Sequence, residues 1–177
     1  CVTLRPMPIS PYAVSKLATE SYAISYQHCY DLPTLAFRFF NVFGPLQAPG
    51  HAYAAVVPAF THAALCGEPL VVHGDGGQTR DFTFVGTVVA TIADALERRV
   101  TSLDPVNLAF GTRYSLLEVA ELLEQELGHP LTRNHVETRA GDVRDSQADS
   151  TRLRSLFPDI EPVGLHVGLA NTVSWMA

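Results

Sequence analysis

Short strand-like runs alternate with helical segments along the whole chain, and this alternation constrains the fold more than any other feature. Thr34 to Phe40 is a short apolar run bounded by Pro33 and the loop from Asn41 to Pro49. Such a run suits a strand buried on both faces of a parallel sheet. Leu70–His73, Val106–Ala109 and Leu131–Thr138 read as further strands. Between them, residues 11–30, 53–66, 87–99 and 115–127 read as helices, and the segments 151–156 and 165–175 close the chain in the same way. Gly67 followed by Pro69 ends the second helix, and Ser115 with Glu118 three residues on forms a capping box that opens the fourth. Strands and helices in this order predict an α/β fold.

The first helix carries the strongest chemical signal. Ser10 suits an N-cap and Pro11 the first helical position, so Tyr12 and Lys16 fall near the start of one helix, on one face. An ammonium beside a phenol favours the phenolate, which a proton-transfer group for an alcohol requires. A half-buried tyrosine beside a solvated lysine arises by chance at the same spacing, so the pair alone decides little. Asn41 follows a strand of the kind at whose end ligands bind in parallel sheets; the alternative is an Asx-turn to its own backbone. In Gly74–Phe82 a glycine-rich turn lets backbone approach a ligand, Arg80 offers a bidentate fork for a diphosphate, and Asp81 is placed to hold the guanidinium. The competing reading is a surface hairpin with a solvated Arg–Asp pair. His73, a lone histidine without metal-ligating neighbours, is by itself a weak candidate.

Composition removes several function classes. The chain has 177 residues, 47% of them hydrophobic, enough for a packed core. A net charge of −6 without a Lys/Arg-rich run argues against nucleic acid or an anionic membrane as partner. Cys1, Cys29 and Cys66 are scattered without metal-type spacing, as expected of reduced thiols in a cytoplasmic protein. No apolar run reaches membrane-spanning length.

Three blocks, in order, carry a family resemblance: Ser10-Pro11-Tyr12-Ala13-Val14-Ser15-Lys16, then Arg38-Phe39-Phe40-Asn41-Val42-Phe43-Gly44-Pro45, then Gly74-Asp75-Gly76-Gly77-Gln78-Thr79-Arg80-Asp81-Phe82. Together they resemble the extended short-chain dehydrogenase/reductase family, and within it the nucleotide-sugar epimerases of the UDP-glucose 4-epimerase type. Val106–Ala109 and Gly141-Asp142-Val143-Arg144-Asp145-Ser146 extend the likeness almost to the end. The resemblance implies the C-terminal part of a Rossmann-type doubly wound parallel sheet, over residues 1–52, plus a small mixed α/β substrate-binding domain, mainly over 53–177, with the chain crossing between them. It also implies NAD as cofactor and epimerisation of a UDP-sugar at C4 through a transient 4-keto sugar. UDP-glucose and UDP-galactose, or their N-acetylated forms, are the implied substrates.

The same likeness assigns roles by residue. Tyr12 and Lys16 would be catalytic and would bind NAD, and Phe40 would line the nicotinamide pocket. Asn41, Val56, His73, Arg80, Arg139 and Asp142 would contact the substrate. Arg80 and Arg139 would grip the diphosphate, Asp142 would reach the ribose, and His73 would lie near the base. Asn107 is left between nucleotide contact and a structural task, while Arg144, Arg152 and Arg154 read as ordinary surface charges. The chain departs from the family at Gly86-Thr87, where an acidic residue is common after Asp81-Phe82-Thr83-Phe84-Val85.

No Gly-x-Gly-x-x-Gly turn occurs, although the family holds its dinucleotide pyrophosphate on one. The expectation is therefore a C-terminal half whose glycine turn and assisting Ser or Thr lie upstream. A 4,6-dehydratase, decarboxylase or reductase of the same family stays open, because the carboxylates that separate a dehydratase belong to that upstream half. A non-catalytic nucleotide-binding domain is the reading from another class, and an intact Tyr12–Lys16 pair counts against it. Leu17, Tyr22, Tyr26 and Tyr30 give the first helix more apolar area than one sheet contact needs. In the resembled family this helix pairs with its two-fold mate, implying a homodimer.

Overall fold

Helix α1 (Pro11–Tyr30) begins where its cap requires: the Ser10 hydroxyl accepts from the Ala13 N–H at 3.1 Å and Pro11 fills the first turn. Asp31 ends the helix in the left-handed conformation. The computed structural model describes residues 6–8, 10–49, 55–138 and 143–177. After α1 come β1 (Phe37–Phe39), β2 (Asn41–Phe43), α2 (Val56–Cys66), β3 (Leu70–His73), β4 (Thr79–Arg80), β5 (Phe82–Phe84) and α3 (Val85–Glu97). Then follow β6 (Val106–Leu108), β7 (Tyr114–Ser115), α4 (Leu116–Leu127), β8 (Arg133–Val136), α5 (Thr151–Leu156) and α6 (Leu165–Met176). The fold is α/β. β1 pairs with β6, β2 with β5 and β3 with β8, all parallel, while the short β4 and β7 pair antiparallel.

The expected strand over 34–40 gives way to two short ones. Val42 N–H donates to the Phe40 carbonyl at 3.0 Å, a three-residue bend of the γ-turn kind. The bend lets the chain leave β6, where Arg38 sits opposite Asn107, and join β5, where Val42 sits opposite Thr83. Asn41 to Phe43, the start of the anticipated loop, are thus strand. α3 starts two residues before its expected Thr87, because β5 runs into it directly with Phe84 as the boundary.

Two apolar cores result. One gathers Val57, Phe60 and Ala64 of α2, Leu70 and Val72 of β3, Val119 and Leu123 of α4, and Leu169 of α6, together with Phe43 and Phe82. The other joins Val88 of α3, Val106 and Leu108 of β6, Phe110, Leu153 of α5 and Phe157, with Phe37 packed against it. Fully burying one such side chain contributes roughly 1.5–3 kcal/mol. β2 serves both: Phe43 is buried in the first core, and its neighbour Val42 packs against the second. Alternation of side chains along a strand makes this division possible.

Local chemistry sets the element ends. Glu118 N–H donates to the Ser115 hydroxyl at 3.1 Å and Ser115 N–H to the Glu118 carboxylate at 2.6 Å, so the capping box is complete. Gly67 ends α2 at φ 69°. The departure at Gly86-Thr87 has structural uses: the buried Thr87 hydroxyl accepts from Val163 N–H at 3.0 Å, fastening the C-terminal segment. A Cβ on Gly86 would lie 2.9 Å from the Phe84 ring. No helix among the described residues is long and apolar enough to cross a membrane.

The glycine-rich turn after β3 requires its glycines. Gly76 has φ 76°, and a Cβ there would meet Leu117 Cδ2 at 2.8 Å and Val72 Cγ1 at 2.9 Å. Gly76→Ala therefore combines a disfavoured conformation with overpacking of the first core, at a cost of about 1–3 kcal/mol. Urea unfolding is expected to show a midpoint lowered accordingly; an unchanged midpoint would mean that the turn relaxes freely.

Candidate functional site

Tyr12 and Lys16 come together as their spacing requires: the Lys16 ammonium lies 5.3 Å from the centroid of the Tyr12 ring. Tyr12 is 71% exposed, and no residue of α1 is buried. The helix is fastened through polar bonds. Arg38 on β1 donates to both carboxylate oxygens of Glu20, each at 2.7 Å, a bidentate charge-assisted pair. Thr34 donates to Gln27 Oε1 at 2.7 Å. The phenol and ammonium thus stand as accessible donors on one helical face, a set suited to hydroxyl groups of a sugar or a ribose.

A second group forms around the glycine-rich turn. Asn41 donates its side-chain amide to the Asp81 carbonyl at 3.3 Å and its own N–H to the same oxygen at 3.1 Å, so it makes no Asx-turn here. Arg80, half-buried, donates from Nη1 to the Thr79 carbonyl at 2.7 Å and to the Arg144 carbonyl at 3.4 Å. Asn41 is therefore bonded to the residue that directly follows Arg80. Phe40, half-buried, sits at the bend between β1 and β2. Val56 opens α2 and packs against the first core. Arg139 and Asp142 lie outside the described residues.

His73 ends β3, with its Nδ1 3.0 Å from the Glu137 carbonyl. It lines an open cleft of about 300 Å³ with Gly74, Asp75, Gln78, Thr138, Val143 and Arg144. Buried Gln78 donates to the His73 carbonyl at 2.8 Å and so ties the cleft floor to the turn that precedes Arg80. At the cleft wall, Arg144 donates to Asp75 at 2.8 Å. Arg144, assisted by the Gly77 N–H, holds the Asp75 carboxyl below the usual carboxylate range.

Several further polar residues are engaged within the fold. Asp81 is 0% exposed, and its carboxylate accepts from Gly111 N–H and Ala148 N–H at 3.0 Å each and from the Thr112 hydroxyl at 3.4 Å. Its work is to join loops rather than to hold the Arg80 guanidinium. Burial pushes this carboxyl above its ordinary range, against the pull of those donors. A charged residue set between Arg80 and the apolar Phe82 and Phe84 was the available signal of such a role. Asn107, 6% exposed, donates to the Asp149 carbonyl at 3.1 Å and is structural. The three arginines read as surface charges are engaged: Arg144 in the cleft wall, Arg152 with Asp104 at 2.9 Å, and Arg154 with the Phe110 carbonyl at 3.1 Å.

Residues 2–109 match the model of the NAD dependent epimerase/dehydratase family. The UDP-glucose 4-epimerase of Mycolicibacterium smegmatis is 36% identical over 171 residues, which cover 95% of this chain and 53% of that protein. The solved structure of UDP-N-acetylglucosamine 4-epimerase from Methanobrevibacter ruminantium, in complex with UDP-N-acetylmuramic acid, superposes with a TM-score of 0.90 at 32% identity over 98% of this chain and 55% of that one. UDP-glucuronic acid 4-epimerase from Bacillus cereus, in complex with UDP-glucuronic acid and NAD, superposes with a TM-score of 0.85 at 29% identity over 98% of this chain and 54% of that one. The chain spans about half the length of the curated relatives it matches.

Proposed function

The chain belongs to the NAD-dependent epimerase/dehydratase family, and from that premise we propose that it acts in the NAD-dependent 4-epimerisation of a UDP-hexose, as part of a longer enzyme. The observation that carries the reading is the Lys16 ammonium over the Tyr12 ring at the exposed start of α1. The three relatives described differ in the sugar and agree in UDP and in C4, which supports those two elements for this chain. UDP-glucose or UDP-galactose, or an N-acetylated form, is the substrate assigned.

In this reading the Tyr12 phenolate takes the proton of the sugar 4-hydroxyl and later returns it, while Lys16 stabilises the phenolate. The Tyr12 and Lys16 donors also suit the hydroxyls of a nicotinamide ribose, with Phe40 beside the ring, and NAD when bound would supply reversible hydride acceptance at C4. The Asn41 amide orients the substrate. Arg80 and Arg139 bind the diphosphate, Asp142 binds the ribose, and His73 with its cleft holds the base side. Val56 borders the sugar.

In the full-length enzyme, Tyr12→Phe is expected to lower kcat by roughly two to four powers of ten with nucleotide-sugar affinity nearly unchanged. A variant with near-normal turnover would remove Tyr12 from the proton transfer. Arg80→Lys keeps the charge and loses the fork, so KM for the nucleotide sugar and Kd for UDP should rise together, by about 1.5–3 kcal/mol, with a smaller change in kcat. UDP bound as tightly as by the parent would return Arg80 to a structural role.

Association through α1 belongs to the same reading. Tyr22, Tyr26 and Tyr30 are exposed at four-residue spacing on a helix with no buried residue, which supports an isologous homodimer built on α1. Light scattering at micromolar concentration should give the dimer mass; a strictly monomeric mass would leave that face to another contact.

A further inference from the structure

We propose that Asp81 is a positioning residue of the nucleotide-sugar site, because its buried carboxylate fixes the residue on whose carbonyl the Asn41 amide rests and which directly follows Arg80. The inference rests on the substrate reading of Asn41 and Arg80. It assigns a new role to a residue that would touch neither substrate nor cofactor.

Three pieces of geometry support it. The carboxylate is held from two distant segments, by Gly111 and Thr112 from the turn after β6 and by Ala148 ahead of α5. The single Thr112 hydroxyl proton lies between the Asp81 carboxylate and the Phe82 carbonyl, each 3.4 Å away, so the clamp also touches the Phe82–Thr83 peptide. The Asp81 carbonyl in turn accepts both donors of Asn41, its main-chain N–H and its side-chain amide. That amide stays oriented as long as the peptide of residue 81 keeps its place. Arg80 is bonded on its other side to Thr79 and Arg144 carbonyls, so the same anchored strand sets the root of its guanidinium.

Removing the carboxylate leaves two backbone N–H groups facing a void, and the peptide is then free to shift toward them. Losing the alignment of one hydrogen bond to a charged group costs roughly ten- to a hundred-fold in affinity. Tyr12 and Lys16 stand on α1, which is fastened through Glu20, Ala23 and Gln27 and has no bond to Asp81 among those described. The effect of Asp81 should therefore fall on substrate affinity rather than on the chemical step. An amide in place of the carboxylate fits the same clamp: its oxygen can accept from Gly111 and Ala148, and its NH₂ can donate to the Thr112 hydroxyl.

The test uses the full-length enzyme, with UDP as probe in calorimetry and the UDP-sugar in kinetics. Each variant is measured at a temperature where circular dichroism shows it folded. Asp81→Ala is expected to raise the UDP Kd and the sugar-nucleotide KM about ten- to a hundred-fold with kcat within about threefold of the parent. Asp81→Asn should recover most of that affinity. Thr112→Val, which removes one donor and keeps the carboxylate, should shift Kd in the same direction by a few-fold and carries the test if Asp81→Ala does not fold. Unchanged UDP affinity in a folded Asp81→Ala, or in Thr112→Val when Asp81→Ala does not fold, would overturn the inference. So would a loss confined to kcat, or an Asp81→Asn variant that is stable yet binds no better than Asp81→Ala. A parent enzyme that binds no UDP would instead overturn the nucleotide-sugar reading, and this inference with it.

Discussion

A carboxylate can remain inside a protein only when donors replace the water it gives up. Asp81 meets that condition with donors from two loops far from it in sequence, and much of the molecule is organised around the junction that results. Through it, the residue ahead of β5, the turn after β6 and the segment before α5 are joined. The polar candidates Asn41 and Arg80 hang from that junction, while the glycine-rich turn and the Gln78 bond align the cleft beside them. The apolar cores supply cohesion; the buried carboxylate supplies the position of the polar groups relative to one another.

The two parts of the site are held in different ways, in keeping with the different work proposed for them. The Tyr12–Lys16 pair is set by the periodicity of one helix and needs little beyond its own turn of chain. The described groups assigned to the nucleotide sugar come from β2, the start of α2, the end of β3 and β4; β2 and β3 are held in parallel pairs and β4 in an antiparallel one. Arg144 adds a salt link across the cleft wall to Asp75, and its carbonyl accepts from Thr79 N–H at 2.9 Å. The cleft thereby gains a wall from a segment that the sequence places well apart from it.

What could be read from the sequence was mostly local. The Ser10 cap with Pro11, the Ser115–Glu118 box and the Gly67 stop depend on neighbours within a few residues, and the start of α1, the end of α2 and the start of α4 follow from them. The bend at Phe40 was not legible, because apolar residues on both sides of it give the same pattern as one longer strand. Nor was the two-residue pairing of β4 with β7, too short for a period to register. Asp81 departs from its expected pairing with Arg80 for a related reason. Its partners lie dozens of positions away, at Gly111 and Ala148, and one chain read alone offers no sign of which distant donor a charge will meet. Family likeness supplied candidate roles for Asn41 and Arg80; for Asn107 it left a nucleotide contact and a structural task both open, and the amide is spent on the Asp149 carbonyl.

The bend at Phe40 also limits how this segment can change over generations. Since Val42 and Phe43 serve opposite cores, the stretch behaves as a two-sided connector whose phase is fixed at both ends. Swapping one apolar residue for another of similar volume leaves that phase intact. Adding or deleting a single residue between the bend and Phe43 would turn each side chain to the wrong side. Homologous chains can therefore vary here in identity and hardly at all in length, and a gap in this stretch would mark a different arrangement of the cores.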